Sequence, residues 1–155
     1  MKRGISFEIP NDYGKYLWDG LMSIDITEFD WTSGGEESYL VKGDELQEPL
    51  FPDEVRGMDG FLLRELLEEN KYYLIFVNLQ AFPKGESSLR VETYEEFVNS
   101  NCQLLLLVVD SIHVEIYCKD NIRLESLYQN AKLRCFNNLQ YITDKNDIRT
   151  RLSVW

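Results

Sequence analysis

His113 is the only histidine of the chain, so any imidazole chemistry must centre on it. A general base needs a carboxylate or a nucleophile within hydrogen-bond reach. In an extended strand Glu115 shares the face of His113, two residues on. The same pattern describes an ordinary polar sheet face. Three cysteines, Cys102, Cys118 and Cys135, show neither a CxxC pair nor zinc-type spacing, and one histidine cannot complete a His/Cys metal site. Cys102 and Cys118 sit in or beside an apolar run, where burial favours the inert thiol over the thiolate nucleophile. The chain has no GxSxG, SxxK, GxxxxGK[ST] or GxGxxG. Neighbouring carboxylates at Glu68-Glu69 and Glu95-Glu96 point apart on a helix and make poor acid–base pairs. Asp53, Glu54 and Asp59 could gather an oxygen-ligated cation, but the EF-hand pattern is absent. These residues predict no catalytic group, no metal and no cofactor.

Charge points toward binding instead. Lys plus Arg number 16 and Asp plus Glu 27, a net charge of -11 that repels phosphate backbones and anionic membrane surfaces. Nucleic acid is therefore not an expected partner; a basic protein is. The binding candidates are the acidic pairs Glu36-Glu37 and Asp53-Glu54, the mixed-charge group Asp144, Asp147, Arg149 and Arg151, and two tryptophans. Trp31 stands beside a Gly-Gly turn and Trp155 at the last position, where exposed rings could anchor an interface. Packing of both rings over a sheet edge, and a local salt-bridge network for the charged group, are the plainer readings.

The elements that must position these groups are organised around residues 102–118, CQLLLLVVDSIHVEIYC. Six apolar residues, 104–109, require burial on both faces; a break at Asp110-Ser111 and an alternating run complete a hairpin. A three-residue loop at 109–111 would set Cys102 opposite Cys118, whereas a two-residue turn would put them on opposite faces. Earlier in the chain, residues 4–9 alternate as a strand, 13–23 read as a helix, and Gly34-Gly35 between two runs reads as a hairpin. Residues 43–58, with two prolines and two glycines, read as the longest irregular stretch. Asp59 caps a helix to about 70, and 72–82 is a long strand. A short strand at 89–91 precedes a capping box, Thr93 to Glu96, at the start of a short helix. Asp120 caps a helix to about 136, 139–143 is a strand, and 148–155 alternates as a terminal strand. The order predicts α+β: a single domain over 1–155, mainly antiparallel, with a central hairpin at about 103–118 and three to four helices packed on one face.

No apolar span reaches the ~18–20 residues of a membrane helix, and the N-terminus lacks the pattern of a signal peptide. A cytoplasmic location with free thiols is expected.

The stretches RGISFEIPNDYGKYL, GMDGFLLRELLEENKYYLIFVNLQAFPKG and QYITDKNDIRTRLSVW resemble an uncharacterised family of small acidic proteins from Bacillus-type bacteria. That resemblance implies a bacterial protein of unknown function and carries no catalytic residue. The expected function is a non-enzymatic acidic module, of immunity-protein or inhibitor type, that docks a basic protein surface. The alternative is a small-molecule binder or an enzyme without familiar motifs, its pocket near the 43–58 loop.

Overall fold

A computed structural model describes residues 1–34, 37–51, 58–86 and 89–154. Its spine is the pair β7, Leu104–Val109, and β8, His113–Cys118. Leu104 to Val108 are buried on both faces, as a continuous apolar run demands. The ladder runs from Val109 opposite His113 to Leu104 opposite Cys118, so the loop is 110–112. Asp110 and Ser111 take positive φ, 53° and 69°, which a short polar side chain tolerates in a tight turn. This register matches neither expected turn: Cys118 faces Leu104, Cys102 lies beyond the ladder, and both thiols are free.

β1, Lys2–Glu8, pairs antiparallel with β8 on one side and with β9, Asn137–Thr143, on the other. Gly4 is required there: a Cβ would stand 2.0 Å from the Ile116 carbonyl oxygen. On the far side of β7 runs β6, Tyr72–Pro83, a strand of 12 residues. Its free edge carries two strands end to end. β2, Phe29–Ser33, pairs with residues 79–83, and β3, Glu37–Lys42, with residues 72–76. Among the described residues β2 and β3 thus pair with β6 rather than with each other and do not form the hairpin expected across Gly34-Gly35, of which Gly35 lies outside the described residues. The true hairpin joins β3 to β4, Glu45–Pro49, around Gly43 and Asp44 at φ 58° and 62°. Part of the stretch expected to be irregular is therefore strand. A short β5, Met58–Asp59, pairs with β2. All pairings are antiparallel, in the order β4-β3-β6-β7-β8-β1-β9 with β2 and β5 off that path.

Four α-helices occur among the described residues. α1 is Tyr16–Leu21, α2 Gly60–Glu69, α3 Tyr94–Asn99 and α4 Asn121–Leu133. Asp59 and Asp120 cap α2 and α4 as expected, accepting from the amides of Phe61 and Ile122. Thr93 accepts from the Glu96 amide, but Glu96 reaches the amide of Glu92 rather than that of Thr93. α1 is shorter than predicted and has no side-chain cap of its own. The Tyr72 hydroxyl takes that place, accepting from the Trp18 amide and donating to the Leu67 carbonyl, which ties α1 to α2.

The sheet has a core on each face. Ile5, Leu104, Leu106, Val108, Val114 and Ile116 meet Leu17 and Leu21 of α1, Leu63 and Leu67 of α2, and Leu124 and Leu127 of α4. On the other face Leu105, Leu107 and Tyr117 meet Phe97 of α3, Val91, Leu152 and Val154. α3 thus lies opposite the other helices, not on one face with them. Two predicted strands are missing for the same reason: their backbones are held by other means. Val91 is gripped by the buried Gln80 carboxamide, which accepts from its amide at 2.9 Å and donates to its carbonyl at 2.8 Å. The terminal segment crosses the sheet face, pairing with Thr93 through an isolated bridge at Arg151, and buries Leu152 and Val154 while Ile148 is exposed.

Candidate functional site

The second face is incompletely covered. Where the apolar cluster ends at Tyr117 and Ile142, the same face of β8, β1 and β9 continues with His113, Glu115, Ser6, Glu8 and Gln140. Together with Asn146, Asp147 and Arg149 they line an open cavity of about 460 Å³. This is where strand alternation delivers the polar residues: Ile5, Phe7, Val114 and Ile116 turn to the helices, so their neighbours must turn here. His113 stands opposite Glu8, with Nδ1 3.7 Å from a carboxylate oxygen, and both side chains are substantially exposed.

Most of the remaining charges in the cavity are committed to one another. Arg149 donates from Nε and Nη2 to the Glu115 carboxylate, at 3.1 Å, and from Nη1 to the carbonyls of Arg151 and Ser153. Asp147 accepts from Arg3, from the Tyr117 hydroxyl and from the Arg149 amide. Burial, followed by the negative neighbours Glu115 and Asp147, pushes the Tyr117 phenol far up, so it stays a donor. Two of the predicted charged residues, Asp147 and Arg149, therefore fasten the terminal segment to the sheet. The other two lie apart from the cavity lining. Asp144 pairs with the N-terminal ammonium, whose hydrogen bond holds its carboxyl below the ordinary range. Arg151 pairs with Glu92 on the surface.

Trp31 cannot anchor a partner. It is 1% exposed, its indole nitrogen donates to the Ile26 carbonyl, and its ring packs edge-on to Phe29. A strand paired on β6 and roofed by α2 leaves its ring no route to the surface. Glu36, Asp53, Glu54 and Trp155 lie outside the described residues. The space among Trp31, Ser33, Phe51, Met58 and Leu63, beside the 43–58 stretch, is too small for a water molecule. Among the described residues no group of three or more His, Cys, Asp or Glu could hold a metal ion. Burial raises Cys102 to about 12 and Cys118 to about 11, which suits neither as a nucleophile. No helix among the described residues is long and apolar enough to cross a membrane.

A second surface lies at the opposite end of the sheet. Every residue of β4 is exposed, and the β3–β4 hairpin presents Glu37, Asp44, Glu45 and Glu48. None of these four makes an ion pair among the described residues. Residues 37–49 hold four carboxylates and one cation, Lys42, a local charge of -3. Elsewhere many cations are engaged pairwise: Lys2 by Glu125, Arg64 by Glu68, Lys84 by Asp59, Arg123 by Glu28 and Arg134 by Asp19. The sequence singles out Glu37 but not Glu45 and Glu48, because a Pro- and Gly-bounded acidic stretch hides a strand. The Lys-Gly-Asp-Glu turn signal at 42–45 is the available clue.

Comparison with known proteins adds the family and no chemistry. The chain is 45% identical over 154 residues to the uncharacterised protein YncE of Bacillus subtilis (strain 168), covering 99% of this chain and all of that one. No solved structure matches it. Residues 2–153 match the model of a protein family of unknown function, DUF2691, and the chain belongs to that family.

Proposed function

We propose that the chain is a non-enzymatic acidic module that docks a basic surface of a partner protein through its β3–β4 hairpin. The supporting observation is the hairpin's four carboxylates, which make no ion pair among the described residues at the end of the sheet. Charge of one sign on a projecting edge steers an oppositely charged partner and speeds encounter. By contrast, the carboxylates Glu115 and Asp147 of the cavity are neutralised by Arg149 and Arg3. The test is capture from a Bacillus subtilis lysate by the immobilised chain, at low and moderate salt, beside a Glu45→Lys/Glu48→Lys variant. The wild type should retain a basic protein that the variant loses and that salt weakens. Equal capture by both, or no basic protein at low salt, overturns the reading.

A small-molecule site is the second reading, favoured by the cavity in which Glu8, Gln140 and His113 converge. It requires that some member of a metabolite panel raise the melting temperature, and that His113→Ala abolish the rise without lowering the melting temperature of the free protein. A flat panel excludes it.

A further inference from the structure

We infer that the basic partner segment binds as an extended strand added to the open edge of β4, an inference that rests on the hairpin being the docking face. The backbone geometry supports it. Val41 stands opposite Leu46, yet the Val41 amide donates away from β4, to the Lys71 carbonyl at 2.9 Å. In an antiparallel ladder a residue's N–H and C=O point to the same side, so the Val41–Leu46 pair is a non-hydrogen-bonded one. The amide and carbonyl of Leu46 consequently face outward, at the last strand of the sheet. They are the groups an incoming strand would engage.

At the other end of the sheet part of the edge, at residues 141–143, is already occupied. The side chain of Asn146 folds back along β9, accepting from the Thr143 amide at 2.7 Å and donating to the Tyr141 carbonyl at 2.9 Å. One carboxamide thus occupies the positions a neighbouring strand would use. Among the described residues no such cover lies over β4, all five of whose residues are exposed.

A second copy of this chain is a poor occupant. Antiparallel pairing of two β4 strands would bring Glu45 and Glu48 of one against the same carboxylates of the other, and like charges across strands destabilise. The occupant that fits is a segment with Lys or Arg at alternate positions, whose cations meet Glu45, Glu48 and Asp44 while its backbone meets Leu46. Pro49 ends the docking length, since it has no N–H to offer.

The test uses an acetylated heptapeptide of alternating lysine and valine and the same peptide N-methylated at alternate residues. Amide chemical shifts locate binding, and titration gives Kd. Strand addition predicts shifts centred on Leu46 and a loss of about five- to tenfold on N-methylation, the worth of one to two backbone hydrogen bonds. Leu46→Pro removes the outward donor, at an edge position where proline is tolerated, and should weaken the unmethylated peptide by a similar factor, with an unchanged circular dichroism spectrum. Should that variant misfold, the methylated peptide still decides. Equal binding of both peptides at the hairpin overturns strand addition and leaves charge-based docking standing. Shifts centred elsewhere, or no binding at low salt, overturn both.

Discussion

On one face of the sheet, Leu104, Leu106, Val114 and Ile116 lie under α1, α2 and α4. On the other, Leu105, Leu107 and Tyr117 lie under the single short helix α3 and an extended tail, and the cover runs out over Ser6, Glu8 and His113. The first face is held by many interchangeable apolar contacts, each modest and together large. The second depends on a few polar fasteners: Gln80 on Val91, Arg149 on Glu115, and Asp147 on Arg3 and Tyr117. Cover by packing is tolerant of single changes in detail but not of lost volume. Cover by fasteners fails when one partner is removed, because the other is left without its bond.

Truncation on the two faces tests this most strongly. Leu106→Ala, at a position 1% exposed between β7's neighbours and the helices, should cost toward the upper end of ~2–5 kcal/mol. Leu152→Ala, comparably buried, should fall toward the lower end, since a tail tied to its neighbour by one isolated bridge can shift into the space more freely than a strand laddered on both sides. Urea denaturation measures both, and equal losses would remove the distinction. A smaller effect is expected from Asp147→Ala, about 1–2 kcal/mol, for the Arg3 guanidinium it leaves without its carboxylate and the Tyr117 phenol it leaves with only the longer bond, 3.4 Å, to Glu115. Proteolysis of residues 148–154 should accelerate in that variant, while the helices stay resistant.

The last effect, nil at neutral pH, concerns ionisation and touches both faces. Cys118 lies in the helix-side core and Cys102 in the other, and burial raises both above the ordinary thiol value of 9.0, to about 11 and about 12. The folded state therefore prefers the neutral thiols. Their contribution is fully present below pH 9 and is lost as pH rises toward 11–12, where the unfolded chain ionises first. Replacing each with Ala should flatten the decline of stability above pH 9 by its own share. An unaltered slope would show that other groups set it.

Sequence periodicity makes the interior of this fold legible, and its margins much less so. The run at 104–109, the long strand at 72–82 and the caps Asp59 and Asp120 are local signals that tertiary structure has no reason to override. The Gly34-Gly35 hairpin misleads because β6 is long enough to template two strands along one edge. Residues 89–91 and 148–155 alternate as strands do, but a glutamine side chain holds the first, and a single bridge to residues 92–93 with apolar contacts holds the second. Alternation reports which side chains are buried, not what satisfies the backbone. The charged group around Asp147 and Arg149 is visible as a cluster; its use in fastening the tail follows from the partners Glu115, Arg3 and Tyr117, which are far away in sequence. Trp31 stands out for its type and flanking glycines, neither of which encodes depth.

β6 also divides the molecule's kinetics. Its first half holds β3 and through it β4, while its second half holds β2. Because β2 and β3 share no ladder among the described residues, the hairpin is expected to detach from residues 72–76 without disturbing residues 79–83. Such a detachable piece is a cooperative unit of its own, opening at a free energy below that of global unfolding. Amide protons along a single strand should then exchange with solvent in two classes. The faster class reports how often the acidic end of the sheet lets go.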